Sequence, residues 1–308
     1  MREVLVTGIG VVSPFGVGCQ AFLEGLKGAK TAAKCHVKDF DGTILEGLQA
    51  GEIPGLSEAA ASIPGKTRKF MSEATLLGCL AGREAWETAA LEDRVPSERI
   101  GIFAASGLTS ADHLAAEEML ALCVDATGMF SPRLLGERGL AQMNPLHSFK
   151  ILPNMPPCIL AMLLGIRGPN LVFNPSEDQA AAALLEGVRA VAEGEADAAL
   201  VGAADAPSSP PVLAFLHQSG RLQANEWASP GAAYLVLECG PHPRPLARIT
   251  FHSGGSVPAC RDPLAQRLGR TFAAAPALAL ATACLWGSPE HLLAFPGLKT
   301  AFHVERTL

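Results

Sequence analysis

Apolar and polar positions change period in blocks along this chain. EVLVTGIGVVS (residues 3–13) reads as a short apolar strand broken by Gly8 and Gly10. CQAFLEGLKG follows with helical spacing, Phe22, Leu23 and Leu26 falling on one face. TRKFMSEATLLGCLAGREAWETAAL (67–91) predicts one long helix, with Phe70, Leu77, Leu80 and Ala81 at helical intervals. RIGIFAAS (99–106) predicts a buried strand and ADHLAAEEMLALCV (111–124) a further helix. GPNLVFNPSEDQAAAALLEG (168–187) predicts a strand, a sharp break and a helix, and ADAALVGAAD (196–205) the next strand. AAYLVLECG and LARITFHSG predict two neighbouring strands. Strands alternating with helices argue for an α/β layered fold in which helices cover a largely parallel sheet. After about residue 252 the pattern thins to one helix and one apolar, strand-like run, ALALATACLW. That region is long enough to close a sheet layer and too short for a second large half-domain, so the chain divides into 1–245 and 246–308.

Composition narrows the partners. Apolar residues make up 49% of the 308 and charged ones 18%, a globular and rather apolar mixture. A net charge of −6 provides no basic field for nucleic acid. No apolar run approaches the roughly 20 residues that cross a bilayer, and MREVLVTGIG turns to glycine too early for a signal-peptide core. A cytosolic protein is the expectation. Eight cysteines are scattered without C-x-x-C spacing, mostly among apolar neighbours, as buried free thiols are. Cys35, His36, Asp39 and Asp41 group in CHVKDFD, but nothing elsewhere completes a ligand set, and a solvated loop is the expectation there.

GIGVVS invites a dinucleotide-loop reading that its residues do not support. Ser13 stands where G-x-G-x-x-G needs its third glycine, and no acidic residue follows at the ribose-binding distance. No cofactor and no metal is expected. The glycines read instead as a strand-end turn that needs unusual backbone angles.

Seven phrases in order resemble one family. VLVTGIGVVSPFGVG is similar to the V-T-G-x-G-x-x-S-P-x-G opening of β-ketoacyl-acyl-carrier-protein synthases, and residues 67–89 to their long second helix. RIGIFAASG, MNPLHSFKILPNM, GIRGPN, ADAALVGAADA and SPGAAYLVLE resemble further family segments over residues 3–238. The resemblance implies a thiolase-like layered fold with a shortened C-terminal half, normally built as a dimer. In the family the nucleophilic cysteine lies nine residues after the glycine of the G-P pair; counted from Gly168, that position is Glu177. A thiolate attacks a thioester and carries the acyl chain covalently, whereas a carboxylate is a far poorer nucleophile toward it. The two histidines of D-x-H-G-T and K-x-x-x-G-H, and the late glycine-rich loop, have no counterparts.

This pattern is similar to chain-length factors, which usually hold glutamine at the nucleophile position, pair with an active ketosynthase and shape its acyl tunnel. The resemblance implies a heterodimer with an active ketosynthase and contact with an acyl carrier protein. In the family the strand equivalent to NLVFNPS pairs with its counterpart across the dimer axis, and this one carries no lysine to block its edge. Phe130, Leu134, Leu146, Phe149, Met155 and Phe173 are the candidates for tunnel or interface. Glu177 has three readings: a cap on the following helix, an ion pair or hydrogen bond across the interface, or an acid–base group of a malonyl decarboxylase. Asp178 and Ser176 compete for the cap. An acyltransferase using Ser176 or Cys158, and a homodimer binding acyl chains or carrier protein, are the alternatives.

Overall fold

The computed structural model describes residues 2–28, 31–92, 94–108, 113–174, 177–253, 264–295 and 298–307. Its strands are β1 (Val4–Ser13), β2 (Gly16–Val17), β3 (Lys34–His36), β4 (Gln49–Gly51), β5 (Ile100–Ser106), β6 (Asn170–Phe173), β7 (Ala198–Asp205), β8 (Gly231–Cys239), β9 (Ala247–Ser253), β10 (Glu290–Phe295) and β11 (Thr300–Arg306). The main helices are α1 (Cys19–Lys27), α2 (Leu56–Ala60), α3 (Glu73–Ala89), α4 (His113–Ala121), α5 (Met155–Leu164), α6 (Gln179–Glu193), α7 (Pro210–Gln218) and α8 (Ala275–Leu285).

One sheet runs β10-β11-β9-β1-β8-β7-β5-β6, with β2 paired to β1; β3 and β4 form a separate hairpin. Helices cover both faces. On one, α3 and α5 pack over Ile100, Ile102, Leu200 and Val236; on the other, α1, α6 and α8 pack over Val4, Ile9, Val201 and Leu235. Only the β7-β5-β6 end is parallel, and every pair from β7 to β10 is antiparallel. The largely parallel sheet predicted from the alternation is therefore confined to one end. The strands AAYLVLECG and LARITFHSG are not neighbours either, because β1 lies between β8 and β9.

Three local readings are corrected by packing. First, β1 is unbroken through Gly8 and Gly10, with a register shift between Val6 and Gly8. Those glycines let α3 lie directly on the strand: a Cβ on Gly8 would stand 2.1 Å from the Ala85 carbonyl oxygen, and one on Gly10 1.9 Å from that of Ala81. Second, the helix predicted over 67–91 starts only at Glu73. Ser72 stops it by accepting a hydrogen bond from the Thr75 amide at 3.2 Å, as N-cap serines do, and a separate turn covers Gly65–Arg68. Third, ALALATACLW belongs to α8 and is no strand. A continuous apolar run has no period to read. As a helix it packs against β1 and β8, and also against β10 and β11.

The β9-β11-β10 ribbon finishes the sheet without a further helical layer. Ile249, Leu293, Phe302 and Val304 face the core, with Phe295 and Phe302 in edge contact at 5.8 Å. On the opposite face Arg248 pairs with Glu305 at 3.5 Å and with Glu3, and Arg94 grips Glu238 through two hydrogen bonds of 2.9 and 3.0 Å. One dry and one wet face is what an antiparallel sheet tolerates.

Candidate functional site

The strand–break–helix at 168–187 folds as β6 and α6, and Glu177 lies in the turn between them. Parallel pairing of β6 with β5 and the double hydrogen bond of Asn174 Nδ2 to the carbonyls of Ser106 (3.2 Å) and Gly107 (3.0 Å) fix where the turn begins. Ser176 lies outside the described residues. The N-cap residue of α6 is Asp178, whose side chain makes no capping hydrogen bond. Burial, reinforced by the neighbouring Glu177 charge, raises the Asp178 pKa.

Glu177 does not cap the helix but takes part in a short chain of ion pairs. Arg270 Nη2 donates to its Oε2 at 2.8 Å, and Arg221 Nη2 lies 3.6 Å from its Oε1. Arg270 also reaches Glu226 at 3.3 Å. Its own backbone is pinned, donating to the Trp227 carbonyl at 2.8 Å and accepting from the Ser229 amide at 2.9 Å, and its guanidinium lies over the Phe272 ring at 5.0 Å. Neither cysteine nor histidine is among the hydrogen-bond or ion-pair partners of Glu177 in the described residues. Burial pushes the Cys79 and Cys284 thiols up to about 12, which leaves them protonated and inert at neutral pH.

Below the turn sits a carboxyl that sequence reading missed. Asp205 ends β7 with 2% of its surface exposed. Its Oδ2 accepts the Ala273 amide at 3.0 Å, while Oδ1 has no hydrogen-bond partner among the described residues. Gly107 makes room for it, since a Cβ there would stand 2.0 Å from the carboxyl carbon. Phe272 carries a left-handed φ of 41°, in the residue just before the Ala273 amide that reaches Asp205. A cavity of about 10 Å³, lined by Leu108, Asp205, Pro207, Val212, Leu216, Arg221 and Phe272, adjoins the carboxyl. Desolvation is the main cause that lifts the Asp205 pKa to about 7; the Ala273 and Ala206 amides and Arg221 pull it down, and Glu177 pushes it further up.

The six tunnel or interface candidates do not converge on one chamber. Leu134 is buried, and Leu146 is partly buried. Met155 packs against the α3 side of the sheet and Phe173 against the α6 side. Phe149 meets Phe70 edge-on at 5.6 Å and is 40% exposed, and Phe130 is 51% exposed. None of them lines the cavity beside Asp205. The CHVKDFD cluster is likewise split: Cys35 and His36 are consecutive on β3 and point to opposite sides, and His36 pairs with Asp41. A groove of about 800 Å³ beside them is lined by β3, β4, α2 and Ser208, and Glu177 is not part of its wall.

The remaining surface is uneven. Of sixteen large apolar side chains exposed among the described residues, twelve lie between Leu120 and Leu171. Within that stretch β6 is a terminal strand of the sheet, and Leu171 on it is 47% exposed.

Residues 1–233 match the family described as the N-terminal domain of β-ketoacyl synthase. This chain belongs to that family. The ketosynthase-like chain is 28% identical over 214 residues to a granaticin polyketide putative β-ketoacyl synthase 1 from Streptomyces violaceoruber, covering 69% of this chain and 48% of that protein. It is 26% identical over 210 residues to 3-oxoacyl-[acyl-carrier-protein] synthase 2 of Vibrio cholerae, covering 68% and 47%. It thus spans about half the length of the curated relatives it matches. Among solved structures, a type II polyketide synthase acyl-carrier protein in complex with its ketosynthase gives a TM-score of 0.77 at 16% identity, with full coverage of both chains. The ishigamide ketosynthase/chain length factor gives 0.69 at 18%, again over both chains. The thiolase-like layered architecture is shared with these ketosynthases. No helix among the described residues of the ketosynthase-like chain is long and apolar enough to cross a membrane.

Proposed function

We propose that this chain is a non-catalytic ketosynthase-like subunit that pairs with an active ketosynthase and shapes its acyl chamber, as a chain-length factor does. The observation that carries the reading is the state of Glu177. At the position where the family holds a thiolate, this chain holds a carboxylate neutralised by Arg270. Such a group is a poor nucleophile toward a thioester, and the ion pair lowers its reactivity further.

The pairing surface in this proposal is the edge of β6 together with the apolar stretch from Leu120 to Leu171. An apolar sheet edge without blocking lysines favours strand pairing over exposure, and a stretch of chain rich in exposed apolar side chains fits a protein contact. Phe130 and Phe149, both exposed, belong to that surface in this reading. An acyl carrier protein, being acidic, would dock on Lys66, Arg68 and Lys69. These are exposed, form no salt bridge among the described residues, and adjoin the apolar stretch through the Phe70–Phe149 contact.

The test is co-expression with a candidate ketosynthase from the same biosynthetic system. The expected result is a stable one-to-one complex that condenses malonyl units, and a separate chain that does not. Condensation by the purified chain alone refutes the proposal. Release of carbon dioxide from malonyl carrier protein by the chain alone, lost in Glu177→Ala, would establish the decarboxylase reading in its place.

A further inference from the structure

We propose that Asp205, Arg221 and Glu177 form a pH-sensitive switch beneath the turn, in which Arg221 bridges to Glu177 while Asp205 is protonated and turns to Asp205 when it ionises. The proposal concerns the isolated chain and stands whether or not a ketosynthase partner is found.

The geometry supplies two destinations for one guanidinium. Arg221 lies 3.6 Å from Glu177 Oε1, a loose contact, while also lining the small cavity onto which Asp205 opens. Glu177 is not left bare if Arg221 departs, because Arg270 holds its other oxygen at 2.8 Å. Arg270 cannot make the same move, because its guanidinium is held by Glu177 at 2.8 Å, by Glu226 at 3.3 Å and over the Phe272 ring. One arginine is fixed and the other is free to choose.

Charge balance decides which choice is made. Two guanidiniums, Arg221 and Arg270, face two glutamates, Glu177 and Glu226, and Asp178 beside Glu177 is a third carboxyl. Among the described residues a further negative charge at Asp205 has no cation left over, so it forms only by drawing one from Glu177. Around Asp205, α7 contributes Val212 and Leu216, and the end of β5 contributes Ser106, Gly107 and Leu108, none of them charged. From the turn come Glu177 and Asp178, and the segment before α8 contributes Arg270 and the Ala273 amide. Among the described residues, then, Arg221 is the one mobile charge within reach of both carboxyls. Oδ1 of Asp205, buried and without a partner in the described residues, is the atom that would receive it. A proton on Asp205 relieves the same demand, which agrees with a carboxyl that titrates at about 7. The consequence is mechanical: ionisation removes one of the two ties on Glu177 and loosens the turn that leads into α6.

Nuclear magnetic resonance of the full chain tests this directly. The Ala273 amide reports the protonation of its acceptor, and the Arg221 Nε resonance reports where the guanidinium lies. Between pH 5 and 9 both signals should move with one midpoint near pH 7. Glu177→Gln should shift that midpoint to lower pH, Arg221→Gln to higher pH, and Asp205→Asn should abolish both transitions. An Ala273 amide that does not titrate in this range overturns the proposal. So does an Arg221 signal that stays still while Ala273 moves, or a Glu177→Gln midpoint that is unchanged or raised. The isosteric changes at 177 and 205 preserve shape, so a fold defect in Arg221→Gln alone still leaves two decisive variants.

Discussion

Replacing Asp205 with asparagine stabilises the protein at alkaline pH and leaves its stability near pH 4 unchanged. The carboxyl is buried, and its pKa rises from an ordinary 3.8 to about 7 in the folded chain, chiefly through desolvation. Below 3.8 both folded and unfolded chains are protonated there, and the group is neutral in the balance. Between 3.8 and about 7 the unfolded chain has lost its proton and the folded one has not, so rising pH favours unfolding. Each pH unit in that window costs about 1.4 kcal/mol, which places the full penalty at about 4 kcal/mol above pH 7. Asparagine keeps the shape and the acceptor for the Ala273 amide, and has no charge to form. The free energy of unfolding by urea, measured for both proteins from pH 4 to 9, should coincide at the acid end and diverge with rising pH. Equal stabilities at pH 8.5, or a gap that widens as pH falls, would refute the reasoning.

Four further outcomes follow from the packing and the ion pairs. Gly10→Ala drives a methyl into the Ala81 carbonyl, and should lower the melting temperature by an amount corresponding to 1–3 kcal/mol or more, about the cost of overpacking. Glu177→Ala removes a partly exposed pair with Arg270 and should cost no more than about 1 kcal/mol in the same measurement, because water screens it. Leu171→Lys on the β6 edge should abolish the complex with an active ketosynthase, read by size-exclusion with light scattering, while leaving the melting temperature of the free chain unchanged. Iodoacetamide should label exposed Cys158 in the folded chain and spare Cys79 and Cys284 until urea unfolds it, as peptide mass spectrometry will report.

The turn at Glu177 was legible because its signal is local: a G-P pair, an apolar strand and a helical period lie within twenty residues. Its ion-pair partner was not, because Arg270 is 93 residues away and its contact depends on how α8 is seated. Asp205 reads in sequence as the end of an apolar strand, where a carboxyl usually meets water, and here the segment before α8 buries it. The glycines of β1 show the opposite limit. Their number is plain in sequence, but whether glycine serves a turn or a close approach depends on what lies above it, and α3 comes from more than sixty residues further on. α8 was illegible for a simpler reason: eight of its eleven residues are buried, and the helix carries no charged side chain to betray a period.

The charged row across Glu3, Arg248 and Glu305 has a consequence for how copies of such a molecule accumulate. Anything laid on that end of the sheet would first have to strip water from ions already satisfied, and would gain little by it. The opposite margin differs: there β6 ends the array with Leu171 exposed. In the proposed pairing a partner covers the β6 margin, and the charged row disfavours a second one on its own face.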